Sequence, residues 1–310
     1  MEALISLLGW KLSVSDQKRK PFESVFVSLG VQVDFSKMRE GSLILGNKPG
    51  RVDSIAVQVN DILEKKPPVL GFKDALSIRG RLSFAEGQTF CKLTAPTARL
   101  LARWSAVSFP RPITSELELH LRFAIKHLQD AGPRVIGPKR NDPPVVVFTD
   151  GACEEGAGGT SIGGVLLKPG GCCECFGAKL SQEAVDSWKT KVGQTQVIGQ
   201  AEEFPVWVAR LTWAKELAGR RVIFFINSES ARLALIKGYS PILPTLKILM
   251  SVIGWDYKNH CYPWYARVPT FSNISDGPSR MTLEAFPAGM VPKVVCPVLP
   301  DGMVPDAVLK

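Results

Sequence analysis

Residues 222–232 read VIFFINSESAR. The opening run, Val222 to Ile226, is wholly β-branched or aromatic and too short for a helix, which specifies a buried strand. A helix-like segment from Glu229 to Lys237 follows at once. A strand that stops where a helix starts carries its last side chain to the edge of a sheet, and here that side chain is Asn227.

The segments around it complete the pattern. Val145 to Thr149 is a second β-branched run, followed by Asp150-Gly151, and Ser161–Lys168 and Cys172–Leu180 flank the turn Pro169-Gly170-Gly171. These three read as a meander. Gln200 to Leu217 carries a helical stripe of Phe204, Val208, Leu211 and Leu217, with Pro205 predicting a late start or a kink. Leu243 to Ile253 is a further helix, and Tyr262 to Val268 is a fifth strand. The order βββαβααβ predicts an α/β fold around a mixed sheet. The strands at 145–149 and 221–226 become neighbours if the meander is extended on its first side, which places Asp150 beside Asn227.

The chain upstream differs in character. Apolar positions alternate over Pro21 to Ser36, whereas Arg51–Glu64, 74–104 and 115–130 are helical, so this part is a smaller, mostly helical α+β region. Gly and Pro cluster between Gly132 and Pro144, which marks a linker. Lys and Arg number 22 against 13 Asp and Glu over residues 1–140, and 16 against 16 over 141–310, so the net charge of +9 lies wholly in the first part. Such an excess suits either a phosphate backbone or a merely soluble basic surface. There is no run of 18 apolar residues and no secretory leader, so the expectation is an intracellular chain, cytoplasmic or nuclear.

Four positions lie at or near element ends where side chains from distant parts of the chain converge: Asp150, Glu202 in GQAEEF, Asn227, and Asp276 in SNISDGPSR. Carboxylates gathered this way repel one another unless cations occupy the site, which points to a hard divalent ion, Mg²⁺ first. Two such ions activate water and stabilise a leaving oxygen in phosphodiester cleavage. Taken singly, Asp150-Gly151 and Asp276-Gly277-Pro278 are ordinary turn formers, and Glu202-Glu203 is ordinary solvated charge.

Other features carry less. Seven cysteines without disulfide-framework spacing are reduced thiols, and Cys172-Cys173-Glu174-Cys175 lacks a second pair to complete a zinc site, leaving a thiol-rich strand as the plainer reading. His260 precedes the fifth strand and is either a proton-transfer group or a loop histidine. Gly-rich residues 156–164 read as turn and strand, since no Lys-Ser/Thr follows. Trp264 is either a stacking surface or part of the core.

Taken together, FTDGA, QAEEF, FINSESARLALIKGYSP and WYARVPTFSNISDGPSR resemble the ribonuclease H domain of retroelement reverse transcriptases, most like DIRS-type elements. LLGW, PFESVFVSLGVQVDFS, NKPGRVDSI and LSIRGRLSFAEGQTF resemble the palm end and the thumb or connection region of the same polyproteins. The resemblance implies 1–131 as a palm-end and thumb or connection remnant, 132–143 as linker, 144–285 as a ribonuclease H-like domain and 286–310 as an irregular tail. It implies a five-stranded mixed sheet with flanking helices, and hydrolysis of the RNA strand of RNA–DNA hybrids with two Mg²⁺ ions, or Mn²⁺. Asp150, Glu202 and Asp276 match the acidic metal ligands.

Two departures qualify it. The Tyr-x-Asp-Asp polymerase motif is absent, so DNA synthesis is not expected. Asn227 stands where the family has aspartate, which removes a charge and puts an NH₂ donor in place of a ligand oxygen. Three readings follow: a weakened or inactive nuclease, a module that binds hybrid or duplex without cutting, and a decaying reading frame. Lys18, Arg19, Lys20, Arg267 and Arg280 are the candidate phosphate contacts.

Overall fold

The computed structural model of this chain describes residues 7, 23–137, 142–154, 159–189, 197–284 and 286–310. Alternating apolar residues form an antiparallel meander of β1 (Val25–Ser28), β2 (Val31–Asp34) and β3 (Leu43–Asn47). Four helices follow: α1 (Arg51–Leu63), α2 (Phe72–Glu86), α3 (Ala95–Trp104) and α4 (Ser115–Asp130), with β4 (Val69–Leu70) and β5 (Arg111–Pro112) paired between them. The helical stretch expected over 74–104 is thus two helices, broken between Gly87 and Thr94. Ile55, Val59, Ile78, Leu82, Leu121 and Ala124 close a core of their own.

The stretch expected as linker contributes β6 (Arg134–Ile136), which pairs antiparallel with β3 and makes a four-stranded sheet. Gly132 and Pro133 end α4, yet they do not prevent the next residues from filling a free strand edge.

The second core is built on β7 (Val145–Glu154), β8 (Gly159–Leu167) and β9 (Cys173–Leu180), an antiparallel meander. Helices α5 (Gln182–Asp186), α6 (Ile198–Thr212) and α7 (Ala214–Leu217) lead to β10 (Arg221–Ile226), and α8 (Glu229–Lys237) and α9 (Leu243–Lys258) lead to β11 (Tyr262–Arg267). Both late strands are parallel to β7, giving the order β11-β10-β7-β8-β9. This is the five-stranded mixed sheet of a ribonuclease H-like fold, as the sequence led us to expect. Val147, Phe224, Phe204, Val208, Trp213 and Leu249 fill the interior on one face.

Pro205 lies inside α6 without ending it. Its missing N–H deprives the carbonyl of Ala201 of its helical donor, and that carbonyl is the atom against which Gly151 of β7 packs. A Cβ at position 151 would lie 2.1 Å from it, so Gly151 and Pro205 together permit the close approach of helix to strand.

After α10 (Asp276–Ser279) the tail is not irregular throughout. β12 (Lys293–Val294) pairs parallel and β13 (Pro305–Val308) antiparallel with β9, so two short strands cover what would otherwise be an open edge. The tail also covers part of the second face, where Leu309, Phe286 and Met290 pack with Val165 and Cys175. Cys173 and Cys175 face this cluster while Glu174 turns to the opposite face and bonds Lys168 and Trp213, so the cysteine-rich segment is a strand and not a metal knuckle. Between the two cores, the Lys92 ammonium donates to the Ile236 carbonyl at 2.8 Å and Phe90 packs against Tyr262. Among the described residues no helix is long and apolar enough to cross a membrane.

Candidate functional site

The parallel register of β7 and β10 pairs Thr149 with Ile226. The next residue of each strand is therefore Asp150 and Asn227, and they meet as the sequence predicted. Asn227 lies close enough for its side-chain amide to lower the Asp150 carboxyl. Asp150 is only 3% exposed. Burial pushes its carboxyl up from the ordinary range, the Ser279 hydroxyl pulls it back, and the neighbouring Asp276 pushes it up again.

Two more donors reach Asp150 from the segment after β11. The Ser279 hydroxyl donates to Oδ2 at 2.7 Å, and the Asn273 amide lies 3.4 Å from Oδ1 and 3.4 Å from the Thr149 carbonyl. The orientation of Asn273 is fixed, because its Oδ1 accepts from the Ser275 hydroxyl at 2.7 Å and the Ser275 N–H at 3.4 Å. An oxygen bound to a backbone N–H leaves the amide NH₂ facing Asp150.

The segment is held there by two glycines in the same row of the sheet. Asp150 pairs with Gly163, and Gly163 pairs with Gly177. A Cβ at 163 would lie 2.3 Å from the Ser279 nitrogen, and one at 177 would lie 2.3 Å from the Pro278 carbonyl oxygen. Only glycine lets α10 settle this deeply on the strands.

Glu202 approaches from α6. Burial and then the Asp150 charge push its carboxyl up to about 8, although the Gly151 N–H donates to it. Glu203 is 3% exposed, and burial alone pushes it up to about 9. The reading of this pair as solvated charge is overturned: α6 turns both toward the interior, and one oxygen of each is buried without a hydrogen-bond partner. The Asn227 Oδ1 is a third such oxygen.

Asp276 is the first residue of α10, close enough to raise the Asp150 carboxyl, but it is paired with Arg280 at 3.2 Å. Arg280 is therefore committed to a carboxylate while still half exposed. Arg267 is exposed at the end of β11. Lys18, Arg19 and Lys20 lie outside the described residues, as do residues 156–158 of the glycine-rich stretch. Trp264 is 70% exposed, which overturns its reading as core. β7 does not stop at Asp150 but runs on to Glu154; Asp150 and Asn227 lie level with the C-terminal end of β11, whereas His260 precedes its N-terminal end and is remote from the site. Sequence reasoning missed Asn273 and Ser279. Both stand in SNISDGPSR, the string already singled out for Asp276.

The donor set was tested against the two-ion centre that the resemblance implies. Among the described residues no three His, Cys, Asp or Glu side chains converge as metal ligands. Both Asp150 oxygens face hydrogen-bond donors, Asp276 faces a guanidinium, and Asn227 supplies an amide where the resemblance has a carboxylate, while Glu202 Oε2 and Asn227 Oδ1 are buried without a partner. The residues present do not fit such a centre.

No protein-family model matches the sequence, and no curated protein does. Solved structures similar to it include RNase H1 from the halophilic archaeon Halobacterium salinarum, at 17% identity and TM-score 0.33, covering 46% of this chain and 98% of that one. The N-terminal RNase H domain of a Mycobacterium tuberculosis protein is similar at 15% identity and TM-score 0.32, covering 46% of this chain and 94% of that one. A foamy viral protease-reverse transcriptase in complex with an RNA/DNA hybrid is similar at 15% identity and TM-score 0.30, over 80% of this chain, which spans 30% of that enzyme.

Proposed function

We propose that this chain is a retroelement-type ribonuclease H-like module that holds nucleic acid, RNA–DNA hybrid or duplex, and cuts hybrid weakly if at all. Residues 144–285 carry the site, and the basic region over residues 1–140 supplies the attraction for phosphates. One observation carries the reading on cleavage. Asn227, just past the end of β10, lies beside Asp150 within β7, and an amide stands at the position where the family pattern has an aspartate carboxylate. The reading on binding rests on the net charge of +9, all of it within residues 1–140, because Lys and Arg bind phosphates by releasing counterions.

Hybrid cleavage with Mg²⁺ and with Mn²⁺, run in parallel on the protein and on Asn227→Asp, tests this. The unaltered protein is expected to cut little, and the variant to cut about 10²-fold faster, on the scale of restoring one charge-stabilising group in a site. Equal and efficient cleavage by both would show that position 227 has been misassigned. Affinity for uncut hybrid should fall steeply with salt, and a flat dependence would remove the binding reading.

A further inference from the structure

Asp150 has a requirement that the fold must meet. A buried carboxylate without compensation is costly, and the usual remedies are a cation or a set of hydrogen-bond donors. Here the described residues supply donors: the Ser279 hydroxyl at 2.7 Å, the Asn273 amide at 3.4 Å, and the Asn227 amide from the neighbouring strand. Ser279 also lies 2.9 Å from the Asp276 carbonyl, but a hydroxyl has one proton and a carboxylate is the stronger acceptor. None of the three donors is free to leave. Asn273 is pinned by Ser275, α10 is seated against Gly163 and Gly177, and Asn227 is fixed by the register of β10 on β7.

We infer that Asn227, Asn273 and Ser279 form a donor cage that balances the Asp150 carboxylate in place of a divalent ion. The cage joins three parts of the chain: the middle of β7, the end of β10, and the loop and helix that bear Asp276. Asn227 is the member that stands where the resemblance has aspartate. The inference rests on the same pair of residues as the proposed function, but it concerns ions and stability, and its test contains no nucleic acid.

Thermal unfolding in a chelator, in millimolar Mg²⁺ and in millimolar Mn²⁺, together with calorimetric titration of each metal alone, decides it. The unaltered protein is expected to melt at one temperature in all three and to give no saturable heat. Asn227→Asp is expected to melt roughly 3–8 °C lower in chelator and to recover with either metal. Should that variant fail to fold, Ser279→Ala serves instead: with one donor lost it melts lower in chelator, and Mg²⁺ does not rescue it because Asn227 still blocks the carboxylate. A saturable rise in the melting temperature of the unaltered protein with Mg²⁺ or Mn²⁺ would overturn the cage. So would an Asn227→Asp protein as stable in chelator as its parent. Loss of hybrid binding alone would instead strike the proposed function and leave the cage standing.

Discussion

Two aspartates in the sheet unit are buried to the same depth, Asp150 and Asp256 each being 3% exposed, yet their charges are met differently. Asp256 on α9 faces Arg210 of α6, whose Nε and Nη2 donate to its two oxygens at 2.8 and 2.9 Å. That guanidinium is itself fully buried: it donates to the Val206 carbonyl and the Tyr265 hydroxyl and lies over the Phe224 ring. Among the described residues no cation contacts Asp150, which is met by amides and a hydroxyl. The first arrangement is a closed pair that fixes two helices against the sheet. The second, within β7 beside the end of β10, holds its charge with neutral groups that a single substitution can change. The difference separates a structural use of a buried aspartate from one that retains the geometry of a site.

Breaking the closed pair should have the largest effect. Arg210→Ala leaves Asp256 buried without its partner and is expected to destabilise by about 3–5 kcal/mol in urea unfolding, whereas replacing both residues with apolar ones of similar volume should cost less than the single change. If the single change were silent, the contrast drawn between the two aspartates would be lost. In the cage, Ser279→Ala removes one donor to a carboxylate and is expected to cost about 2–3 kcal/mol, less than loss of a full countercharge.

Glu203 gives the most pH-dependent effect. Its folded carboxyl titrates at about 9 against an ordinary 4.5, so the folded state keeps a proton that the unfolded state releases. Stability should therefore fall as pH rises between about 4.5 and about 9, and Glu203→Gln should flatten that fall, gaining on the order of 4 kcal/mol over the parent at pH 8 relative to pH 5. Identical pH profiles for the two proteins would mean that Glu203 is ionised and solvated.

Much of the sheet was legible because its strands are short β-branched runs and its turns carry Gly and Pro. The parallel neighbours β7 and β10 followed from the order of elements, and with them the meeting of Asp150 and Asn227. The inward turn of Glu203 was not legible, since a Glu-Glu pair on a helix is usually solvated and only the packing of α6 decides otherwise. Trp264 was misjudged for the converse reason: an aromatic residue in a strand looks like core until the uncovered part of a sheet face is known. The strands β6, β12 and β13 are two to four residues long and carry no periodicity of their own. They form because an edge was available to receive them.

What the sequence by itself determined was the α/β order, the four positions at or near element ends and the amide at residue 227, because these depend on residue type and local spacing. Tertiary structure alone decided that Asn273 and Ser279 close around Asp150, that Asp276 turns to Arg280, and that the tail covers β9. Those outcomes depend on how closely segments distant in the chain approach, which is set here by glycines that allow backbone to meet backbone.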